Sequence, residues 1–334
     1  MCVACGSETG WCPHCKSTSA LVPDQNNLYR CGNAECQTLL QKCYNYSDMK
    51  VCTRCVEVNA NGGFLAGVLC DCCQFNAVIP DLSLDGNLDK WARLEAAKRR
   101  LFYTLDLLHL PYGNAAQGFV PPLSFDFKGD SLPDRGQWRS MNDEEQVFTG
   151  HADGKITINI KEADPIELEI ARVQLGERRR TVIRHFRHEI GHYYWEVFVN
   201  HKCENECMAI FGDHNNPAYQ DALLRYYAEG PPANWADNCV SGYATMHPWE
   251  DFAETFALYL DMVATLDTAN YFGMLAQPLD LTDFEAMLSG FIHTGLVMNE
   301  MTRDMGLVDY TPEVIVQPVH DKLLFIHGLV NNTV

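Results

Sequence analysis

Residues 182–199 read VIRHFRHEIGHYYWEVFV, and His188, Glu189 and His192 lie at the centre of this stretch. Apolar residues recur along it at intervals of three or four, which predicts one long helix with a buried face. Residues four positions apart lie on the same side of a helix, so His188 and His192 can offer two nitrogen ligands to one zinc ion. Glu189 follows the first of them and can reach a zinc-bound water, which is the H-E-x-x-H arrangement.

The same polar residues also have a simpler interpretation. So short a motif occurs by chance, and its residues can form the exposed rim of an amphipathic helix. Here, however, Glu189 and both histidines interrupt what is otherwise an apolar face. Burying three ionisable groups costs free energy unless a metal ion pairs with them. The sequence around the motif therefore favours a metal site.

A catalytic zinc ion needs a third protein ligand and an open position. Glu250 and Glu254 lie four residues apart in residues 247–257, which read HPWEDFAETFA and predict another helix. One of the two carboxylates can bind zinc while the other accepts a hydrogen bond from a ligand imidazole. The alternative is a pair of exposed acids on an amphipathic helix.

Twelve of the 15 cysteines lie within residues 1–73, where Cys-x2-Cys pairs recur. Such a pair directs two thiolates at one ion, and two pairs complete a four-cysteine zinc site. Disulfides or an iron–sulfur cluster are the alternatives. The eight cysteines from residue 31 to residue 73 are expected to form one or two further sites, so we expect one catalytic and two or three structural zinc ions. The first structural site is expected to consist of Cys2, Cys5, Cys12 and Cys15.

The charge of the chain also changes near residue 80. Residues 1–80 carry 5 basic and 6 acidic side chains of the 25 and 44 in the whole chain, leaving 20 and 38 in residues 81–334. We therefore expect a cysteine-rich zinc-ribbon domain over residues 1–80 and a second domain over residues 81–334. The net charge of −19 argues against a nucleic-acid partner. No apolar run reaches the roughly 18 residues that a membrane helix needs, and no secretory signal is visible, so a cytoplasmic location without membrane contact is expected.

Hydrophobic periodicity predicts an α+β fold, with a mainly helical second domain and a small sheet. Strands are expected at residues 123–127 and 156–160, with a hairpin turn at Asp153-Gly154. The H-E-x-x-H arrangement is typical of zinc peptidases, which commonly bind an extended substrate along the edge of a strand. The second strand is therefore expected to border the substrate cleft. Helices are expected at residues 88–109, 167–175, 177–200, 217–228, 248–266, 282–303 and 312–330.

Several segments occur in an order that resembles a known family. The cysteine-rich region is followed by IPDLS (79–83), RLEAAKRRL (93–101), TGHADGKITINIKEAD (149–164), FRHEIGHYYW (186–195), YAEGPP (227–232) and HPWEDFAETFALYL (247–260). Most of the chain thus resembles a family of zinc-binding metallopeptidases with an N-terminal zinc-ribbon domain. The helix that carries Glu250 and Glu254 resembles the glutamate helix of gluzincins, especially the lethal-factor-like type. This resemblance implies a zincin-like fold for the second domain.

The resemblance also implies roles for individual residues. It makes Glu250 the zinc ligand, Glu254 its outer partner, and Tyr243, seven residues before Glu250, a donor to the developing oxyanion. The second cysteine group is larger than the four usual in the family, and the loop between Cys5 and Cys12 is short, so the pairing and the ribbon's metal count stay open. The implied second structural site consists of Cys31, Cys43, Cys70 and Cys73, with Cys36, Cys52, Cys55 and Cys72 as extra thiols or alternatives.

Together these observations predict a zinc metallopeptidase that acts on a peptide or protein substrate. His188, His192 and Glu250 would hold the catalytic zinc, and Glu189 would be the general base. The zinc ribbon would be a surface for a protein partner. Two alternatives remain open: an interaction module whose H-E-x-x-H zinc is structural, and a hydrolase that acts on a non-peptide amide or ester.

Overall fold

The computed structural model describes most of the chain after residue 71. Before that point it describes short backbone segments at residues 10–11, 18–19, 21–23, 29–31 and 39–40, together with Glu35. Beyond that point it describes residues 72–82, 84–129, 149–174 and 181–332, with side chains described to residue 170 in the third of these ranges.

Within the described segments of the N-terminal region, five short strands form two small antiparallel sheets. Strand β1 pairs with β2, and β3, β4 and β5 pair in that order. Such short hairpins are typical of small domains that depend on metal ions for their stability. The strands are Gly10–Trp11 (β1), Thr18–Ser19 (β2), Leu21–Pro23 (β3), Tyr29–Cys31 (β4) and Leu39–Leu40 (β5).

A separate four-stranded sheet has the order β6-β7-β9-β8. The β6–β7 and β7–β9 pairings are parallel, and β8 is antiparallel to β9. The turn between β8 and β9 is formed by Asp153 and Gly154 in left-handed conformation, with φ of 49° and 80°, as the hairpin prediction requires. The strands are Asn76–Val78 (β6), Ser124–Lys128 (β7), Gly150–Ala152 (β8) and Lys155–Asn159 (β9).

The position of β9 in this sheet corrects one expectation. We expected residues 156–160 to offer an edge to an extended substrate. Instead, β9 pairs with β7 along its whole length and with β8 at residues 155–157, so it is not an edge strand of the sheet. Its apolar side chains, Ile156 and Ile158, are buried opposite Phe125 and Phe127 of β7. This strand therefore belongs to the core of the sheet.

Helices make up most of the described structure and lie close to the predicted ranges, so the fold class is α+β as predicted. One short helix, α4, lies outside those ranges, and the last helix begins five residues later than predicted. It has Pro318 in its first turn, where the missing N–H is not needed. Within the described part of the chain, no helix is both long and apolar enough to cross a membrane. The helices are Asn87–Leu107 (α1), Pro165–Gln174 (α2), Val182–Phe198 (α3), Glu204–Phe211 (α4), Tyr219–Glu229 (α5), Pro248–Tyr271 (α6), Phe284–Asp304 (α7) and Gln317–Val330 (α8).

The chain divides into two compact units, and α3 contributes to both. The first unit comprises residues 1–107, 111–173 and 180–186. Its core is aromatic: the Phe102 ring of α1 lies 5.0 Å from Phe75 and 5.9 Å from Phe125, measured between ring centroids. Phe186, at the start of α3, packs 5.8 Å from Phe125. These contacts attach the sheet to α1 and to the first turns of α3.

The second unit comprises residues 108–110, 174–179 and 187–334. Helix α6 is its centre, because most of its length is buried and it packs against α4, α7 and α8. The imidazole of His247 caps the start of α6 by accepting a hydrogen bond from the Trp249 N–H, at 3.1 Å. Tyr194 of α3 stacks on Phe256 of α6, with ring centroids 5.2 Å apart. The remainder of α3 and the glutamate-bearing face of α6 are thus held in one unit.

Candidate metal centre

Helices α3 and α6 are in close contact at Gly191. A Cβ atom built on Gly191 would lie 2.9 Å from the Cα of Ala253 and 3.0 Å from its carbonyl oxygen. Such contacts are too short for any side chain larger than hydrogen, so glycine is required here for the helices to pack. Gly191 lies directly before His192, and Ala253 lies between Glu250 and Glu254. The close crossing therefore brings the polar residues of both helices together.

Three ligand atoms from these helices converge. His188 Nε2 and His192 Nε2 lie 3.1 Å apart. Glu250 Oε2 lies 3.0 Å from the first nitrogen and 3.4 Å from the second. All three atoms lie within 4.8 Å of one another, and no other group of three His, Cys, Asp or Glu side chains does so among the residues described.

The electrostatics of this cluster favour a bound cation. Burial disfavours the imidazolium form of His188, but hydrogen bonds to Glu250 and Glu254 outweigh this and hold the pKa of His188 well above its ordinary value. Burial also disfavours the Glu250 carboxylate, but the charges and hydrogen bonds of His192 and His188 hold the pKa of Glu250 well below its ordinary value. Glu250 is only 2% exposed, so its negative charge requires a positive partner nearby.

Glu254 contacts the opposite side of the His188 ring. Its Oε1 lies 2.8 Å from His188 Nδ1, one helical turn beyond Glu250. If Nδ1 carries the proton and donates it to this carboxylate, the lone pair of Nε2 points at the cluster. A carboxylate that fixes the tautomer of a ligand histidine is a common feature of zinc sites.

Two further residues predicted for the site lie beside this cluster. Glu189 is buried, with 7% exposure, between the two histidines along α3. The ring centroid of Tyr243 lies 5.9 Å from that of His188. Burial, the Glu250 charge and the neighbouring Tyr219 hydroxyl all raise the pKa of Tyr243, so its hydroxyl keeps its proton and can donate it in a hydrogen bond.

Two residues of the site were not found from the sequence. The Tyr219 hydroxyl of α5 donates to Glu250 Oε1 at 2.8 Å. The Trp249 ring lies against His192, with centroids 3.8 Å apart. Tyr219 is distant from both motifs in the sequence, and no pattern in its helix distinguishes it from neighbouring tyrosines. Trp249 directly precedes Glu250 in the sequence, and this adjacency to a predicted ligand could have identified it as a residue of the site.

The donor set fits zinc. Two imidazole nitrogens and one carboxylate oxygen form the three-ligand set of catalytic zinc sites, which keep a fourth position for water or substrate. A site built for calcium or magnesium would instead supply mainly oxygen ligands. The residues present therefore fit a zinc ion.

The predicted ribbon ligands lie almost entirely outside the described residues. Cys31 lies at the end of β4, and only its backbone is described. Cys73 is buried, and its Sγ lies 3.8 Å from Glu95 Oε2. Cys72 is buried beside it. The candidate ligands that lie outside the described residues are Cys2, Cys5, Cys12, Cys15, Cys36, Cys43, Cys52, Cys55 and Cys70.

Comparison with known proteins agrees with this donor set. Residues 87–329 match a family model described as "Putative zinc-binding metallo-peptidase". The chain belongs to this family. Residues 1–84 match a zinc-ribbon domain. The resemblance expected from the sequence, a zinc-binding metallopeptidase with an N-terminal zinc ribbon, is thus confirmed.

Relatives of similar length extend over almost the whole chain. A protein of Mycobacterium bovis described as "Uncharacterized protein" is 32% identical over 341 aligned residues, which cover 99% of this chain and 90% of the relative. Two proteins of Mycobacterium tuberculosis with the same description match with the same identity and coverage. No solved structure matches the chain.

Proposed function

We propose that this protein is a zinc-dependent peptidase of the gluzincin type. His188, His192 and Glu250 would hold the catalytic zinc ion. The observation that carries the proposal is the convergence of their three ligand atoms within 4.8 Å, inside the range matched by the metallopeptidase family. The substrate would be a peptide or a protein.

The remaining residues of the site suit the hydrolysis of a peptide bond. Zinc bound here would polarise the scissile carbonyl and lower the pKa of the attacking water. Glu189 would accept a proton from that water and return it to the leaving amine. Tyr243 would donate a hydrogen bond to the developing oxyanion, and Glu254 would hold the His188 ring in place.

The N-terminal region would have a structural role. We propose a boundary near residue 80, two or three structural zinc ions before it, and a protein partner for the ribbon surface. Zinc would provide much of the folding free energy of this region, because so short a segment buries little apolar surface. Free thiolates are also required for these zinc sites, which is consistent with a reducing cytoplasmic location. The acidic charge of the chain argues against nucleic acid as a partner.

A comparison of new protein N-termini in cell extract tests this proposal. Extract treated with the zinc-loaded wild type should gain N-termini that are absent after treatment with Glu189→Gln, because an amide cannot accept the proton of the water. Glu196→Gln is a matched control on the same helix, since the Glu196 carboxylate accepts a hydrogen bond from Asn200 and is not one of the converging ligands, and it should cleave like the wild type. Zinc content by elemental analysis should be equal in all three proteins. Equal cleavage by the wild type and Glu189→Gln would refute the peptidase mechanism.

A further inference from the structure

The two oxygens of Glu250 have different partners. Oε2 faces the ligand histidines, at 3.0 Å from His188 Nε2 and 3.4 Å from His192 Nε2. Oε1 points away from them and accepts the hydrogen bond from the Tyr219 hydroxyl at 2.8 Å. Since the side chain is buried, the rotation of the carboxylate is decided by these few contacts.

Tyr219 is itself held in place by the start of α6. Its ring lies 5.3 Å from the His247 ring and 5.8 Å from the Trp249 ring, both approximately edge-on. His247 caps the helix and Trp249 packs on His192, so the tyrosine is fixed relative to the first turn of α6, directly before Glu250. Its hydroxyl therefore approaches Oε1 from a defined direction.

We propose that Tyr219 is a positioning residue for the metal centre, because its hydrogen bond to Oε1 keeps Oε2 directed at the two histidines. The inference rests on the proposed function, since it requires a metal ion bound by Glu250. Without this bond the Glu250 carboxylate can rotate. Binding of the ion must then also fix the orientation of Oε2, and this ordering costs free energy that lowers the affinity. Partners of this kind typically change metal affinity or activity by about 10–100-fold when removed.

Zinc affinity, measured by competition with a chelator, tests this role without any substrate. Each protein is compared with the same protein that also carries His192→Ala, which should lose the catalytic zinc and keep the ribbon ions. The difference in bound zinc between the two is the zinc held at the catalytic site. Tyr219→Phe should weaken zinc binding by about 10–100-fold. Tyr227→Phe removes a hydroxyl from an exposed ring on the same helix and should bind zinc like the wild type.

A double-mutant cycle separates positioning from a general loosening of the structure. In the Glu250→Ala background no side-chain oxygen remains to accept the Tyr219 hydroxyl bond, so adding Tyr219→Phe should change zinc affinity by no more than a few-fold. Equal losses in both backgrounds would overturn the proposal, because a merely structural tyrosine would weaken the site whether or not the carboxylate is present.

The possible failures can be told apart. If His192→Ala removes one zinc ion but Tyr219→Phe binds zinc like the wild type, the positioning role is wrong and the proposed function stands. If His192→Ala and the wild type contain equal zinc, the metal centre is wrong, and both the inference and the proposed function are overturned.

Discussion

Gly191 lies against the backbone of Ala253, and a Cβ atom at Gly191 would approach the Ala253 Cα to 2.9 Å. This contact fixes the separation of α3 and α6 at the level of the metal ligands. His192 follows Gly191 directly, while Glu250 lies three residues before Ala253. Any increase in the helix separation therefore moves the histidines away from the carboxylate.

Gly191→Ala should separate these helices and weaken zinc binding. We expect a loss of roughly 1–3 kcal/mol in the free energy of unfolding, as for other overpacked cores, together with reduced affinity at the catalytic site. Urea unfolding and chelator competition measure the two effects. Gly150→Ala is the matched control, because a Cβ there meets no atom within 4 Å. Unchanged zinc affinity in Gly191→Ala would show that the close approach is not needed for the site.

The local parts of this site could be predicted from the sequence. His188 and His192 lie one helical turn apart, as do Glu250 and Glu254, so the helical repeat alone places each pair on one face. The need for glycine at position 191 could not be predicted, because it arises only when a second helix crosses at that residue. Tyr219 is 31 residues from Glu250, and no repeat relates the two.

The fold shows the same division between local and distant information. The Asp153-Gly154 turn and the apolar alternation that follows it identified the hairpin correctly. The hairpin supplies β8 as one neighbour of β9. Its other neighbour, β7, pairs with it in parallel and comes from a distant part of the chain, which residues 156–160 alone do not specify. The expectation that β9 is an edge strand was therefore wrong, although its existence and boundaries were predicted well.

The two glutamates of α6 should respond differently to loss of charge. Glu250→Gln should weaken zinc binding strongly, because Oε2 is the atom that faces both histidines. Glu254→Gln should lose about 10–100-fold in affinity or activity, since its carboxylate contacts His188 Nδ1 and is not one of the three converging ligand atoms. Chelator competition on both variants gives the order. A larger loss in Glu254→Gln would mean that the two roles are exchanged.

A buried ion pair joins the C-terminal helix to the residue after Glu250. Lys322 Nζ lies 2.6 Å from Asp251 Oδ2 and donates to the Asn238 carbonyl at 2.6 Å. Burial raises the pKa of Asp251 to about 6 even though Lys322 lowers it. Lys322→Met should therefore leave a buried acid without its partner and destabilise the protein by roughly 3–5 kcal/mol in urea unfolding.

Lys90→Met is the surface counterpart of this variant. Lys90 lies 3.6 Å from Asp164, and about a third of its side chain is exposed. Exposed pairs contribute about 0–1 kcal/mol, so this variant should differ little from the wild type. Similar small effects for Lys322→Met and Lys90→Met would contradict the importance of the buried pair.

His327 should make the folded state less stable in mild acid. It is buried, and its Nδ1 is hydrogen-bonded to the Tyr259 hydroxyl at 2.9 Å. Burial lowers the pKa of His327, although the Thr282 carbonyl and Asp283 oppose this. Its stabilising contribution is therefore present above the unfolded pKa of about 6.5 and is lost as the pH falls towards the folded value. Urea unfolding between pH 7.5 and 5.5 should show a smaller decline of stability in His327→Leu than in the wild type.

His320, on the same helix, should behave in the opposite way. Burial lowers its pKa, but hydrogen bonds to Asp321 and Glu285 outweigh this and leave the pKa of His320 raised. Its contribution is present below about pH 6.5 and is lost as the pH rises through the folded value. The free energy of unfolding of His320→Gln, measured with urea, should therefore decline more steeply than that of the wild type between pH 7.5 and 5.5. If both His327→Leu and His320→Gln changed the pH dependence of stability in the same direction relative to the wild type, these assignments would be contradicted.

Tyr243→Phe should separate catalysis from metal binding. Tyr243 is not one of the three converging metal ligands, so removal of its hydroxyl should leave the zinc content and the urea-unfolding midpoint unchanged. The rate of cleavage should fall by up to about 10²–10³-fold, as for other oxyanion donors, mainly in kcat because the interaction forms in the transition state. Tyr227→Phe, which removes an exposed hydroxyl from α5, should keep the wild-type rate. Steady-state kinetics on a peptide found in the cleavage experiment measures this. A rise in KM with unchanged kcat would instead make Tyr243 a substrate-binding residue, and wild-type kinetics would remove it from the site.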